Sequence, residues 1–122
     1  MTDSEFDLLI TRAMDELPAK YIKGLQNVAI VMADRPSPQQ LRKMKIDNHH
    51  SLLGLYEGVP LTQRGAGYNL VLPDKITLFK DTIEQNSSGD ESVFEIVKRT
   101  LWHEIAHYYG LSHADIDRIQ KS

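Results

Sequence analysis

The residues best suited to chemistry are two histidines four positions apart, His103 and His107, with Glu104 between them. Residues i and i+4 of a helix lie on one face, about 6 Å apart along the axis, so both imidazoles can bind one metal ion. Glu104 is rotated by about 100° from His103, which lets its carboxylate reach a water beside the metal without becoming a ligand. The spacing predicts a metal site with a general base.

A third ligand is predicted just beyond this helix. Gly110 stands three residues after His107, where a left-handed residue that ends a helix favours glycine, and the reversal can bring His113 back to the ion. Three protein ligands leave a position open, as in catalytic zinc sites, whereas a closed structural site usually has four. Bound Zn²⁺ lowers the pKa of a water toward about 7 and polarises a carbonyl oxygen. We therefore expect Zn²⁺ as the cofactor and a zinc-activated water as the nucleophile of a hydrolase.

Composition indicates a single domain over residues 1–122, since 122 residues suffice for one hydrophobic core and 41% are hydrophobic. The chain has no cysteine, so any metal must be held by His, Asp or Glu. A net charge of −3 with scattered Lys and Arg disfavours nucleic acid as a partner. The acidic start and the lack of a long apolar run predict no membrane association and a cytoplasmic protein.

Hydrophobic periodicity predicts a sheet flanked by helices. A helical pattern covers residues 4–17 and ends at Pro18, and a longer one covers residues 91–109, which include the metal motif. A last short helix is predicted at residues 114–121, while residues 39–50 fit a loop and a short helix equally well. About four short strands are predicted, with Pro73 and Asp74 as the turn between the last two: residues 28–32, 52–58, 68–72 and 76–79.

Several further side chains are weaker candidates for the site. Tyr108 or Tyr109 could donate a hydrogen bond to a tetrahedral intermediate, although packing at the helix end is the competing interpretation. Arg64 could bind a substrate carboxylate or carbonyl, with an exposed salt bridge as the alternative. His49 and His50 could supply a further ligand or a substrate contact, but adjacent histidines in a polar loop are more often solvated.

The chain resembles a family of small bacterial zincin-like metallopeptidases, formerly a domain of unknown function. The resemblance rests on the HExxH motif at residues 103–107 and on stretches at residues 6–18, 27–28, 52–61 with Arg64, and 72–76. It implies an α+β, minimal zincin-like fold, in which a small mixed β-sheet packs against the N-terminal helix and the metal-binding helix. It also implies a zinc metallopeptidase that acts as a protease on a peptide or protein substrate, with Glu104 as general base.

The third ligand position departs from the usual family pattern. Members are similar to HExxHxxGxxD, whereas this chain has histidine at position 113, which resembles the metzincin pattern as well. Metzincins place a methionine turn after the third histidine, and the residues after His113 include no methionine. The chain is therefore identified as a minimal zincin.

Two other functions compete with peptide hydrolysis. Short bacterial metal-dependent endoribonucleases have a three-histidine site that resembles HxxxHxxGxxH, but they need a basic surface and lack the glutamate of HExxH. A zinc-binding interaction module without activity is the other alternative, and the intact Glu104 argues against it. The physiological substrate, the cleavage specificity and the oligomeric state are not indicated by the sequence.

Overall fold

The computed structural model describes residues 1–45, 52–65 and 73–120. A short 3-10 helix spans Leu61–Gln63. Among the helices of these ranges, none has the length and apolar character of a membrane-spanning segment. The strands are β1 Val28–Ala33, β2 Gly54–Glu57 and β3 Asp74–Phe79. The helices are α1 Asp3–Glu16, α2 Ala19–Lys23, α3 Pro38–Lys43, α4 Lys80–Gln85, α5 Asp90–Tyr109 and α6 His113–Gln120.

The three described strands form a mixed sheet in the order β1-β3-β2. β1 runs parallel to β3, with Val28 paired to Asp74, and β2 runs antiparallel to β3, with Tyr56 paired to Ile76. The prediction of a turn at Asp74 was wrong, because this residue begins β3 and its N–H donates to Asn27 O at 2.9 Å. The strand predicted at residues 68–72 lies outside the described residues.

One hydrophobic core joins the sheet, α5 and α1. Alternate residues of β3, Ile76 and Leu78, point into it together with Leu101 and Ile105 of α5, and all four are fully buried. α5 packs on β2 and β3, and α1 packs on α5 through Phe6. The predicted α+β class, with a small mixed sheet against an N-terminal helix and the motif-bearing helix, is confirmed.

The two short helices α2 and α4 were not predicted. They have five and six residues, too few for a hydrophobic period to repeat. α3, within the segment where the sequence allowed a loop or a helix, begins with a capping box between Ser37 and Gln40 and has Pro38 at its first position. The capping residues therefore account for the helix in this segment, which hydrophobic periodicity alone does not predict.

Strand β2 approaches α5 closely at Gly54. A Cβ at this position would lie 2.7 Å from Thr100 Cγ2, closer than packed carbon atoms approach. Two residues further along β2 the backbone contacts Glu104, four residues after Thr100. The two contacts, Gly54 with Thr100 and Tyr56 with Glu104, are compatible because two strand residues and four helix residues both span about 6 to 7 Å.

We expect Gly54→Ala to lower the free energy of unfolding by about 1–3 kcal/mol, the usual cost of overpacking. Urea denaturation would measure it. Thr100→Ser should recover much of the loss in the double variant, because it removes the methyl group that the new Cβ would meet. Gly65→Ala is the matched control, since a Cβ there would meet no atom of the described residues within 4 Å. Equal losses at Gly54 and Gly65 would contradict this packing.

Candidate metal centre

The metal motif occupies the last two turns of α5, which ends in a left-handed glycine. Gly110 has φ 73° and ψ 27°. Its N–H donates to His107 O at 3.0 Å, and Leu111 N–H donates to Ala106 O at 3.0 Å, which together form a Schellman motif. Thr62 of the 3-10 helix lies directly against Gly110, where a Cβ would be 2.5 Å from its Oγ1. The predicted chain reversal at Gly110 is confirmed.

His103, Glu104 and His107 form a compact group of possible metal ligands. One donor atom from each lies within 4.8 Å of the others, and the imidazole centroids of His103 and His107 are 4.6 Å apart with their planes at 63°. Both histidines are partly exposed, whereas Glu104 is only 6% exposed. Neutral imidazoles at this separation suit Zn²⁺ and similar transition metals, so the residues present fit a metal ion.

The carboxylate of Glu104 is fixed on two sides. Its Oε1 accepts a hydrogen bond from Tyr56 N at 3.0 Å and lies 3.4 Å from His107 Nδ1. The hydrogen bond with Glu104 raises the pKa of the His107 imidazole, and burial opposes this shift. A carboxylate beside one nitrogen of a metal-binding histidine commonly sets its ring orientation. Glu104 is therefore held next to the histidines by strand β2.

The other candidate ligands, His113, His49 and His50, fall outside the described part of the structure, either in their side chains or entirely. His113 begins α6, directly after the reversal at Gly110, but its side chain lies outside the described part of the structure. His49 and His50 also lie outside the described residues. The third ligand therefore stays a prediction.

The candidate substrate residues on α5 have internal partners for their hydroxyl groups. Tyr108 is fully buried, and its hydroxyl accepts a hydrogen bond from Gln26 N at 3.0 Å. Tyr109 donates its hydroxyl hydrogen to Tyr21 O at 2.6 Å. Both tyrosines thus tie the end of α5 to the segment around α2. Their contribution to substrate binding stays a prediction.

Arg64 lies in a buried ion pair. Its side chain is 7% exposed and that of Asp74 is 4% exposed, and the guanidinium donates to Asp74 Oδ2. Arg64 also donates to Val59 O at 2.9 Å and to Gln26 O at 3.3 Å, and it lies over the ring of Tyr108 at 5.0 Å. Arg64 thus forms an ion pair, as the alternative to substrate binding predicted, but the pair is buried and not exposed.

We expect Arg64→Met to lower the free energy of unfolding by about 3–5 kcal/mol, because it leaves the buried carboxylate of Asp74 without its cation. Urea denaturation monitored by Trp102 fluorescence would measure the loss. Arg118→Met is the control, because Arg118 is 75% exposed in its pair with Asp115 and should matter little. A stable Arg64→Met variant with weakened substrate binding would instead favour the predicted substrate role.

Two residues of this region were missed by the sequence reasoning. Tyr56 was assigned only to a strand and Asp74 to a turn, yet Tyr56 contacts Glu104 and donates its hydroxyl hydrogen to Asp74 Oδ2 at 2.5 Å. A signal was present, because both residues lie in the stretches that carry the family resemblance. Composition and periodicity do not distinguish such a polar pair from ordinary strand residues.

A helix with the HExxH motif, packed against a small mixed sheet, is the arrangement of a zincin-like metal site. The comparisons with known proteins agree with this class. A family model described as zincin-like metallopeptidase matches residues 25–122, and the chain belongs to this family. The match includes the three described strands and the whole HExxH motif.

Among solved structures, the chain is similar to a conserved hypothetical protein from Thermus thermophilus. The two share 23% sequence identity and a TM-score of 0.55, over 89% of this chain and 94% of the other. At this identity the likeness concerns the fold alone. No curated protein matches the sequence significantly.

Proposed function

We propose that the chain is a zinc-dependent peptidase in which Glu104 is the general base. The observation that carries the proposal is the placement of a buried glutamate beside two partly exposed histidines on one helix face. His103 and His107 would hold the ion together with His113. Family membership supports the assignment, and the net charge of −3 is unfavourable for the competing endoribonuclease function.

When bound, zinc supplies a Lewis acid that makes water more acidic and polarises the substrate carbonyl. Glu104 takes a proton from the attacking water onto its carboxylate while the water oxygen forms a bond to the carbonyl carbon. The same carboxyl group then gives that proton to the amide nitrogen, and the carbon–nitrogen bond breaks. The fixed position of Glu104 contributes by holding the base ready before the substrate arrives.

We further propose that an extended peptide lies along β2, an edge strand of the described sheet. Phe79 N–H donates to Leu53 O at 3.0 Å, so Leu55 and Glu57 direct their backbone groups toward β3 in the same way. The backbone groups of Gly54 and Tyr56 consequently point away from β3. The Tyr56 N–H is bonded to Glu104, so it is the polar groups of Gly54 and the carbonyl of Tyr56 that would align a peptide by strand addition near the end of α5.

Zinc content is the first test. We expect the purified protein to hold about one zinc ion per chain, because two or three neutral imidazoles bind zinc and leave a position for water. Metal analysis of protein prepared without added zinc, and again after zinc is supplied, would measure this ratio. A content far below one equivalent in both preparations would refute the metal assignment.

Hydrolysis is the second test. Zinc-loaded protein would be incubated with a mixed peptide library, and the products would be identified by mass spectrometry. New peptide termini should appear, should vanish after the metal is removed with a chelator, and should return when zinc is restored. Cleavage that survives removal of the metal would indicate a contaminating protease and would contradict the proposal.

A further inference from the structure

One residue of β2 contacts both the candidate base and the buried ion pair. Tyr56 N–H donates to Glu104 Oε1 at 3.0 Å, and the hydroxyl of the same residue donates to Asp74 Oδ2 at 2.5 Å. We propose that Tyr56 is a positioning residue, whose phenol fixes β2 on Asp74 so that its backbone N–H holds the carboxylate of Glu104. The inference rests on the proposed function, in which Glu104 is the base.

The anchor at Asp74 is well suited to hold the phenol. Besides Tyr56, the carboxylate of Asp74 accepts a hydrogen bond from Arg64 and one from Val59 N at 3.4 Å. A Cβ at Gly58 would collide with this carboxylate, so glycine is needed for the close approach. Burial, followed by the hydrogen bond to Asp74, raises the pKa of the Tyr56 phenol, which therefore stays protonated and donates. The ring of Tyr56 also meets that of Tyr108 edge to face at 6.2 Å.

The contact with Glu104 follows from the register of the sheet. Tyr56 pairs with Ile76 at a position where the backbone groups point away from β3, so its N–H is directed to the other side. Glu104 stands on that side because Gly54, two residues earlier, packs on Thr100, four residues earlier on α5. A backbone donor in a paired strand cannot rotate freely. It therefore fixes one oxygen of the carboxylate, Oε1.

Of the polar side chains in the described part of β2, only that of Tyr56 is hydrogen-bonded to the carboxylate of Asp74. The remaining polar residue, Glu57, instead pairs with Gln40 of α3 at 3.1 Å and with Lys43 at 3.8 Å. Losing the phenol hydroxyl should therefore let the backbone at residue 56 shift relative to α5. The carboxylate of Glu104 would then sample more positions, while the histidines on α5 would keep theirs.

Nuclear magnetic resonance of ¹⁵N-labelled, zinc-loaded protein tests this directly. Hydrogen bonding to a carboxylate should move the amide proton of residue 56 downfield and slow its exchange with solvent. In Tyr56→Phe, which keeps the ring, we expect an upfield shift and exchange that is about tenfold faster. Glu104→Gln should shift the same proton in the same direction, because a neutral amide is a weaker acceptor. Asp74→Asn, which weakens the acceptor of the Tyr56 hydroxyl, should also move the amide proton of residue 56 upfield.

Kinetic and binding measurements complete the test. In Tyr56→Phe, zinc affinity should stay within about twofold of the wild type, and kcat should fall by a larger factor than KM rises, as expected for a misplaced base. Ile10→Val, a core change on α1, is the control for a general loss of stability and should leave the residue 56 amide unaffected. An unchanged amide in Tyr56→Phe, or an equal change in Ile10→Val, would overturn the inference. The amide readout does not require hydrolysis, so a failure of this inference can be distinguished from a failure of the proposed function.

Discussion

Glu104→Gln is expected to lower peptide hydrolysis by at least about a hundredfold while zinc stays bound. The variant removes the ability to take up a proton but keeps the shape of the side chain. Its amide oxygen can still accept the hydrogen bond that Glu104 Oε1 receives from Tyr56 N at 3.0 Å. The fold around β2 and the position of residue 104 should therefore be retained. Steady-state kinetics on a peptide found in the library, together with metal analysis, would measure both effects.

Glu95→Gln is a matched control for this experiment. Glu95 is an exposed residue of the same helix, and it lies more than two turns before the metal motif. Neutralising it changes the net charge by the same amount without touching the candidate site. We expect normal zinc content and normal kcat/KM. If Glu104→Gln lost zinc together with activity, Glu104 would have to be reassigned from general base to ligand.

The metal motif and its helix could be predicted because their signals are local. The spacing of His103 and His107 is that of a helix turn, and Gly110 supplies the left-handed residue that ends α5. The apolar period of residues 91–109 likewise anticipates the buried face of the same helix. Each of these signals is contained within one segment of the chain.

The support for Glu104 could not be predicted because it depends on register between distant segments. Tyr56 and Glu104 are 48 residues apart, and their contact requires that β2 pairs with β3 in one particular register. A shift of one residue would turn the Tyr56 N–H toward β3 and away from α5. Turn propensity at Pro73 and Asp74 pointed to a loop, but the pairing of Asp74 with Val28 overrode it.

The start of α6 is defined by a local cap next to the predicted third ligand. Ser112 N donates to Asp115 Oδ2 at 3.2 Å, and Asp115 N donates to Ser112 Oγ at 3.1 Å. These two bonds form a reciprocal cap, and a hydrogen bond with Ser112 lowers the pKa of the Asp115 carboxyl. The carboxylate of Asp115 is therefore engaged in this cap. The cap holds the backbone at His113 in the first turn of α6, three residues after Gly110.

We expect His113→Ala to weaken zinc binding by on the order of a hundredfold or more, because the ion would lose one of three protein ligands. His113→Asp should stay within about tenfold of the wild type, since a carboxylate oxygen also binds zinc and an acid is favourable in the first turn of a helix. Competition with a chromogenic chelator would measure the three affinities. Asp115→Asn, which disturbs the cap without removing the predicted ligand, should bind zinc nearly as well as the wild type. Equal zinc affinity in the wild type and His113→Ala would mean that the third ligand comes from another residue, and His49 and His50 would then be substituted next.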